Sequence, residues 1–180
     1  MSLPLLTPAA DWPQVLLARA NDGPLTDIAA AETAGAWQAW TKATTELSPE
    51  VVLHTITESG LRGHATDVYH NNTHSRDSLS DHHNGRYDLA NGLEADPGAG
   101  AVRTRVELDP HAVVEGTAIA AWVVGAERAI IAVSSVAPDA AERLRTAVAE
   151  AEGRGHIGRS LDGPSLEIEV REVTGSFVVG

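Results

Sequence analysis

Between residues 87 and 173 short apolar runs alternate with capped helical patterns, and this alternation limits the possible folds more than any other feature. Tyr87–Ala90 reads as a short strand. Asp109-Pro110 opens a helix whose Val113, Val114, Thr117, Ala118, Ala121 and Val124 line one face, and Gly125 ends it. Ala129–Ser134 is a continuous apolar run, as expected of a parallel strand covered on both faces. Pro138 starts a second helix, with Ala141, Leu144, Val148 and Ala151 inward and Gly153 as its stop. Leu166–Val173 alternates Leu166, Ile168 and Val170 with Glu167, Glu169 and Arg171, the pattern of a half-exposed strand. Such an order implies two right-handed crossovers. The expected fold class is α/β: a mainly parallel sheet sandwiched by helices.

The flanks are read by the same rules. Residues 1–34 form an irregular lead-in with one short helix around Trp12–Ala20. Gly35–Glu46 carries Trp37, Trp40 and Ala43 at helical spacing. Ser48 caps a further helix with Pro49 at its first position, Val51, Val52, Ile56 and Leu61 on one side and Gly60 as its stop. From Gly63 to Arg86 almost nothing can be buried, so this is a long polar loop. Asn91–Gly100 is rich in turn formers, and Phe177–Val179 reads as a further strand. The division expected is an N-terminal helical arm, 1–47, and an α/β domain, 48–180.

Composition removes whole classes of function. The 180 residues include no Cys, so a thiolate nucleophile, a disulfide or a Cys-ligated iron–sulfur cluster within this chain is excluded. Thirteen Lys and Arg stand against 25 Asp and Glu, giving a net charge of −12 that repels nucleic acid and anionic membranes. No apolar run has the roughly 20 residues needed to cross a bilayer, and the N-terminus lacks the basic start of a signal peptide. A cytoplasmic location is expected.

Several residues carry candidate chemistry. Asn91, Glu94 and Asp96 follow a strand, where open α/β sheets bind ligands; they also suit a turn formed for conformational reasons alone. His64, His70, His74, His82 and His83 crowd the polar loop beside Asp67, Asp77 and Asp81. His70 and His74 are four apart, but Asn71-Asn72-Thr73 between them suits a helix poorly, so a solvated insertion is expected over a metal site. His111, at the first turn of a helix, is expected to be structural, with the helix dipole disfavouring its protonation. Arg143 and Arg145 are placed on a solvated helix face. Trp37 and Trp40 are read as core or as a docking face. With Phe177–Val179 they also motivate an expectation that the chain associates, with itself or with a partner subunit.

From Gly35 to Gly180 the chain resembles the flavin- and NADH-binding subunit family of respiratory complex I, which also occurs in NAD-reducing hydrogenases and formate dehydrogenases. The resemblance rests on Ser48-Pro49-Glu50-Val51-Val52, Ser59-Gly60-Leu61-Arg62-Gly63, Asn91-Gly92-Leu93-Glu94-Ala95-Asp96-Pro97-Gly98, Pro110-His111, Glu115-Gly116, Ala141–Gly158 and Leu166–Gly180, in that order. It implies a Rossmann-like flavin domain and, in the intact family, hydride transfer from NADH to FMN. Arg62, Gly63, His64, Ala65, His74, Asn91 and Glu94 fall at FMN-contacting positions, and Tyr69 and Asp96 at NADH positions. A catalytic form would be a component of an FMN-dependent NADH dehydrogenase. The departures are specific: Ala65, Thr66 and Val68 replace family glycines, His64 an Arg, His74 a Lys, Tyr69 a Phe and Leu93 an Asp placed against the flavin. β-Branched Thr66 and Val68 resist the left-handed conformations and close backbone approach that such a loop uses. Impaired flavin binding is therefore expected. The alternatives are a non-catalytic scaffold that keeps the fold and a His-rich metal-binding module.

Overall fold

In the computed structural model, which describes residues 15–20, 22–60, 86–94, 100–159 and 164–174, the alternation becomes a parallel sheet of β1 (Tyr87–Gly92), β2 (Arg128–Ser134) and β3 (Glu167–Val173) in that spatial order. Tyr87, Arg128 and Glu167 share one row of the register, Leu89, Ile130 and Glu169 the next but one. Three helices precede the sheet: α1 (Ile28–Thr33), α2 (Gln38–Glu46) and α3 (Pro49–Glu58). Between β1 and β2 run α4 (Ala101–Leu108) and α5 (Pro110–Val124), and α6 (Pro138–Arg154) links β2 to β3. The fold class is α/β with a Rossmann-like parallel sheet flanked by helices.

Two right-handed crossovers advancing in one direction across a sheet run on the same face. Accordingly α5 and α6 contact each other and the strands. Side-chain alternation shows the result: Ala129, Ile131, Val133 and Ile168 are buried toward the helices, whereas Tyr87 and Leu89 on the other face are 57% and 66% exposed. The sandwich expected from the apolar run of β2 is thus met on one face only among the described residues. Small side chains at Ala118, Ala121, Ala141 and Ala147, all fully buried, let α5 and α6 pack closely, and Leu144 and Val114 fill the remaining space.

The arm forms a third layer on the outer side of these helices and shares their core through Ile28, Ala31, Trp37 and Trp40. Its attachment is unusually polar. Trp37 precedes α2 in the left-handed conformation (φ 68°) and supplies no side-chain cap. The amides of Ala39 and Trp40 instead donate to Glu115 Oε1 at 3.1 and 3.2 Å, from the middle of α5. Arg19 lies 3.6 Å from the same carboxylate and makes a two-pronged contact, 3.1 Å each, with the fully buried Asp109. Asp109 also caps α5 by accepting from Ala112. At the other end of the arm Glu150 accepts from the Ile28 amide at 3.0 Å and contacts His111 Nε2 at 3.1 Å. Burial holds His111 below the usual imidazole range despite the nearby Glu150. His156 stacks on Trp37, ring centroids 4.6 Å apart, and its Nε2 lies 3.0 Å from Glu32 Oε1.

Other expectations need correction. Trp37 and Trp40 are 1% and 4% exposed, so they are core and offer no docking face; Phe177–Val179 lies outside the described residues. The lead-in contains α1, a six-residue helix capped by Asp27, while the described part of the helix expected near Trp12–Ala20 is a single 3-10 turn, Ala18–Ala20. The stripe helix begins at Gln38 rather than Gly35, because Gly35 and Trp37 both take positive φ. The long helix passes Gly153 and ends at Gly155, where φ is 76°. Arg143 is half-buried and donates to the Glu107 carbonyl, tying α6 to α4, whereas Arg145 is exposed and pairs with Glu172 at 2.7 Å.

Two measurements check this account. Glu115→Ala leaves the first amides of α2 without their acceptor inside the layer, while Arg19 keeps Asp109, and should cost about 2 kcal/mol in urea denaturation, with faster amide exchange along α2. Asp88 points to the helix face without a cation beside it among the described residues, and burial raises its pKa. The folded chain therefore holds that proton more tightly than the unfolded one, so Asp88 costs stability at neutral pH and the cost fades as pH falls toward the unfolded value. Asp88→Asn should stabilise the protein by on the order of 1 kcal/mol at pH 7. A gain that is undiminished at acid pH would show the charge is not its cause.

Candidate functional site

The carboxyl ends of the strands, where open parallel sheets bind ligands, are Gly92, Ser134 and Val173. Packing requires glycine at position 92: a Cβ there would stand 2.7 Å from the Ala132 carbonyl oxygen and 3.3 Å from Val133 Cγ1. With no side chain in the way, β1 runs tight against β2 to its last residue. Asn91, one residue earlier, faces the uncovered side of the sheet and is exposed; its Oδ1 accepts from the Leu93 amide at 3.0 Å, an Asx turn that bends the chain off the strand.

Glu94 follows, half-buried, with Oε1 accepting from the Val102 amide at 2.8 Å. Val102 lies in the first turn of α4, and Gly100 at its N-cap has no side chain to offer. The carboxylate therefore caps α4 from the residue that follows β1 by two and places negative charge at the positive end of the helix dipole. Beyond this, Arg103 pairs with Glu107 at 2.5 Å within α4. Asn91 and Glu94 thus bring an amide and a carboxylate to this end, a pair suited to hydroxyl groups, which both donate and accept.

Of the residues singled out from sequence, the structure brings Asn91 and Glu94 to this end of the sheet. Arg62, Gly63, His64, Ala65, Tyr69, His74 and Asp96 lie outside the described residues, as does the rest of the His-rich loop apart from Arg86. Arg86 donates to the Val124 carbonyl at 3.3 Å, fastening the start of β1 to the end of α5. Sequence reasoning missed the roles of Glu115, Glu150 and Asp88. Glu115 did carry a signal, as a carboxylate inside an otherwise apolar helical run.

No group of three or more metal-ligating side chains occurs among the described residues, and no helix there is long and apolar enough to cross a membrane. A cavity of about 480 Å³ opens at the opposite, amino end of β2 and β3. Glu127, Arg128, Glu152, Arg159 and Glu167 line it, a mixture of charges with no ligand preference.

Comparison with known proteins places these features in context. The family described as the Nuo51 FMN-binding domain matches residues 56–180. An NADH-quinone oxidoreductase subunit from Aquifex aeolicus is 30% identical over 148 residues, covering 81% of this chain and 34% of the relative. Its counterpart from Escherichia coli, also an NADH-quinone oxidoreductase subunit, is 33% identical over 138 residues, 75% of this chain and 31% of its own length. The HndC component of the NADP-reducing hydrogenase of Solidesulfovibrio fructosivorans is 30% identical over 136 residues, 74% and 28%. The chain spans about a third of the length of these curated relatives.

The capping role of Glu94 is open to a direct check. Glu94→Ala should destabilise the chain by about 1 kcal/mol and speed amide exchange at Val102, while Glu94→Gln, which keeps an acceptor oxygen, should retain much of the cap. Equal losses for the two variants would mean that the charge at the helix terminus, rather than the hydrogen bond, holds α4.

Proposed function

The chain belongs to the Nuo51 FMN-binding domain family, and we propose that it is a flavin- and NADH-binding domain of the NADH-quinone oxidoreductase type whose grip on FMN is weakened. One observation carries the reading: inside the matched segment, Asn91 and Glu94 stand at the carboxyl end of β1 as an amide and a carboxylate suited to the hydroxyls of a ribityl chain or ribose.

When bound, FMN supplies the capacity to accept a hydride from NADH and pass on electrons singly; the protein contributes position and electrostatics. In this reading Asn91, its oxygen held by the Leu93 amide, is fixed in one orientation and offers its N–H groups to a ligand hydroxyl. Glu94 acts as a positioning residue, since its bond to the Val102 amide holds the start of α4. Arg62, Gly63, His64, Ala65 and His74 complete the flavin side, and Tyr69 and Asp96 the NADH side. Electrons leaving the flavin would pass to a centre outside these 180 residues, which have no Cys, whether in further sequence or in a partner oxidoreductase component.

A second reading, a non-catalytic scaffold descended from the same fold, is favoured by the commitment of Glu94 to α4 and by Thr66 and Val68 at glycine positions. Titration of the full chain with FMN, followed by flavin fluorescence, separates the two. The expected result is saturable binding in the range of tens of micromolar or weaker, reduced about threefold to tenfold by Asn91→Ala, the worth of one hydrogen bond. Stoichiometric FMN in the purified protein would show that the grip is not weakened. Binding absent at millimolar FMN would leave the scaffold.

A further inference from the structure

We propose that α1 is a proton-released strap: when His111 gains a proton, α1 lifts from α5 and α6 while the sheet and its helices stay folded. His111 is fully buried in the first turn of α5. Its Nε2 and the Ile28 amide meet on one oxygen, Glu150 Oε2, at 3.1 and 3.0 Å, so the first residue of α1 lies against the ring. A carboxylate only accepts, so the neutral ring carries its proton on Nε2. Nδ1 is then a bare acceptor, buried and without a hydrogen-bond partner among the described residues. A second proton has to sit on Nδ1, as a buried charged N–H with no acceptor, which costs more than an unused lone pair. Water removes that cost once the ring is uncovered. The cover most easily moved is α1, six residues long, with Ile28 and Ala31 as its buried side chains. So short a helix does not hold its form alone.

The surrounding charges leave this sign unchanged. Glu150 on α6, Asp109 at the start of α5 and Asp27 at the cap of α1 favour a charged ring, and burial outweighs all three. Asp109 and Glu115, one turn further along α5, are both engaged by Arg19, and Arg105 lies 4.0 Å from Asp109. Glu32 on α1 pairs with Arg154 and His156. His156 acts the other way, since a charged imidazole 3.0 Å from Glu32 tightens α1. That pair is partly exposed, and is worth a factor of about five at most. The open form of the strap binds a proton on His111 and the closed form resists it. Closure is therefore complete above about pH 6.5, and each pH unit below favours the open form by up to about tenfold.

The experiment is hydrogen exchange of the full chain at about pH 7.5 and about pH 5, with each amide corrected for its intrinsic rate. The Ala31 amide, which donates to the Asp27 carbonyl, should lose protection roughly threefold to tenfold at the lower pH, through an opening that low urea does not change. Amides of β2 should stay at least about tenfold better protected at both values. His111→Gln keeps a donor for Glu150 and does not titrate, so its Ala31 protection should not fall with pH. Should that variant fail to fold, magnetic resonance of the His111 ring in the unaltered chain decides: a ring still neutral at the lower pH wherever α1 is closed supports the strap. A ring that gains its proton with α1 closed overturns the proposal. So does Ala31 protection that is independent of pH, that is lost in step with β2, or that falls equally in His111→Gln.

Discussion

Glu115 stands in the middle of α5, among side chains that are otherwise apolar, and its carboxylate ends on the first amides of α2. Those amides need an acceptor because Trp37, left-handed and buried, cannot provide one. Arg19 neutralises the carboxylate and continues to Asp109, which caps the helix that carries Glu115. The network is closed: each carboxylate serves a helix terminus, and one guanidinium joins them. Buried ions are tolerable only when their hydrogen-bonding capacity is met in this way, and removal of any one member leaves part of that capacity unmet. Apolar contact supplies most of the attraction between arm and helices, but it has no direction. The carboxylates set which turn of α2 meets which turn of α5.

This arrangement has a consequence for the site. α5 is held by the arm on its outer side and by the sheet on its inner side, so β1 is fixed against β2 along its whole length. The strand ends flush only because Gly92 has no Cβ to strike Ala132. From there two short hydrogen bonds, to Asn91 and to Glu94, bend the chain and start α4. The polar residues at the ligand end are thus also the residues that shape it, so a substitution there changes geometry and recognition together.

Strands and long helices were legible in the sequence because each carried its own signal. Asp109-Pro110 and Gly125 bracket α5, and the alternation in Leu166–Val173 gave β3 its exposed side. What could not be read depended on partners distant in the chain. α1 and α4 are six and eight residues long, and α1 takes its Ile28 amide's acceptor from Glu150, α4 its cap from Glu94. Gly153 and Gly155 are equivalent on paper, and only the backbone shows which one turns left-handed. The apolar run of β2 does not tell that the described helices pack on one face, since Ile130 and Ala132 read the same whether covered or half-exposed. At the site, the nearness of Asn91 and Glu94 to the end of a strand was legible, but not that the strand runs on through Asn91 to Gly92, nor their bonds to backbone amides.

The charge balance at the carboxyl end bears on how a flavin would be held. The described side chains there offer an amide at Asn91, a carboxylate at Glu94 and a second carboxylate at Glu172 that is paired with Arg145. Hydroxyl groups suit such a set, but a phosphate monoester carries nearly two negative charges and does not, least of all on a chain of net charge −12. Backbone amides in a glycine-rich loop are the usual solution, and Thr66 and Val68 at former glycine positions work against it. The cations left to balance a phosphate in the resemblance are Arg62, His64 and His74, two of which are imidazoles in place of an Arg and a Lys. An imidazole supplies its charge only below about pH 6.5, whereas Arg and Lys supply theirs throughout the physiological range. In the proposed reading these substitutions bear on the phosphate of the flavin more than on its sugar chain, so the anionic tail would be where this chain departs furthest from the pattern it resembles.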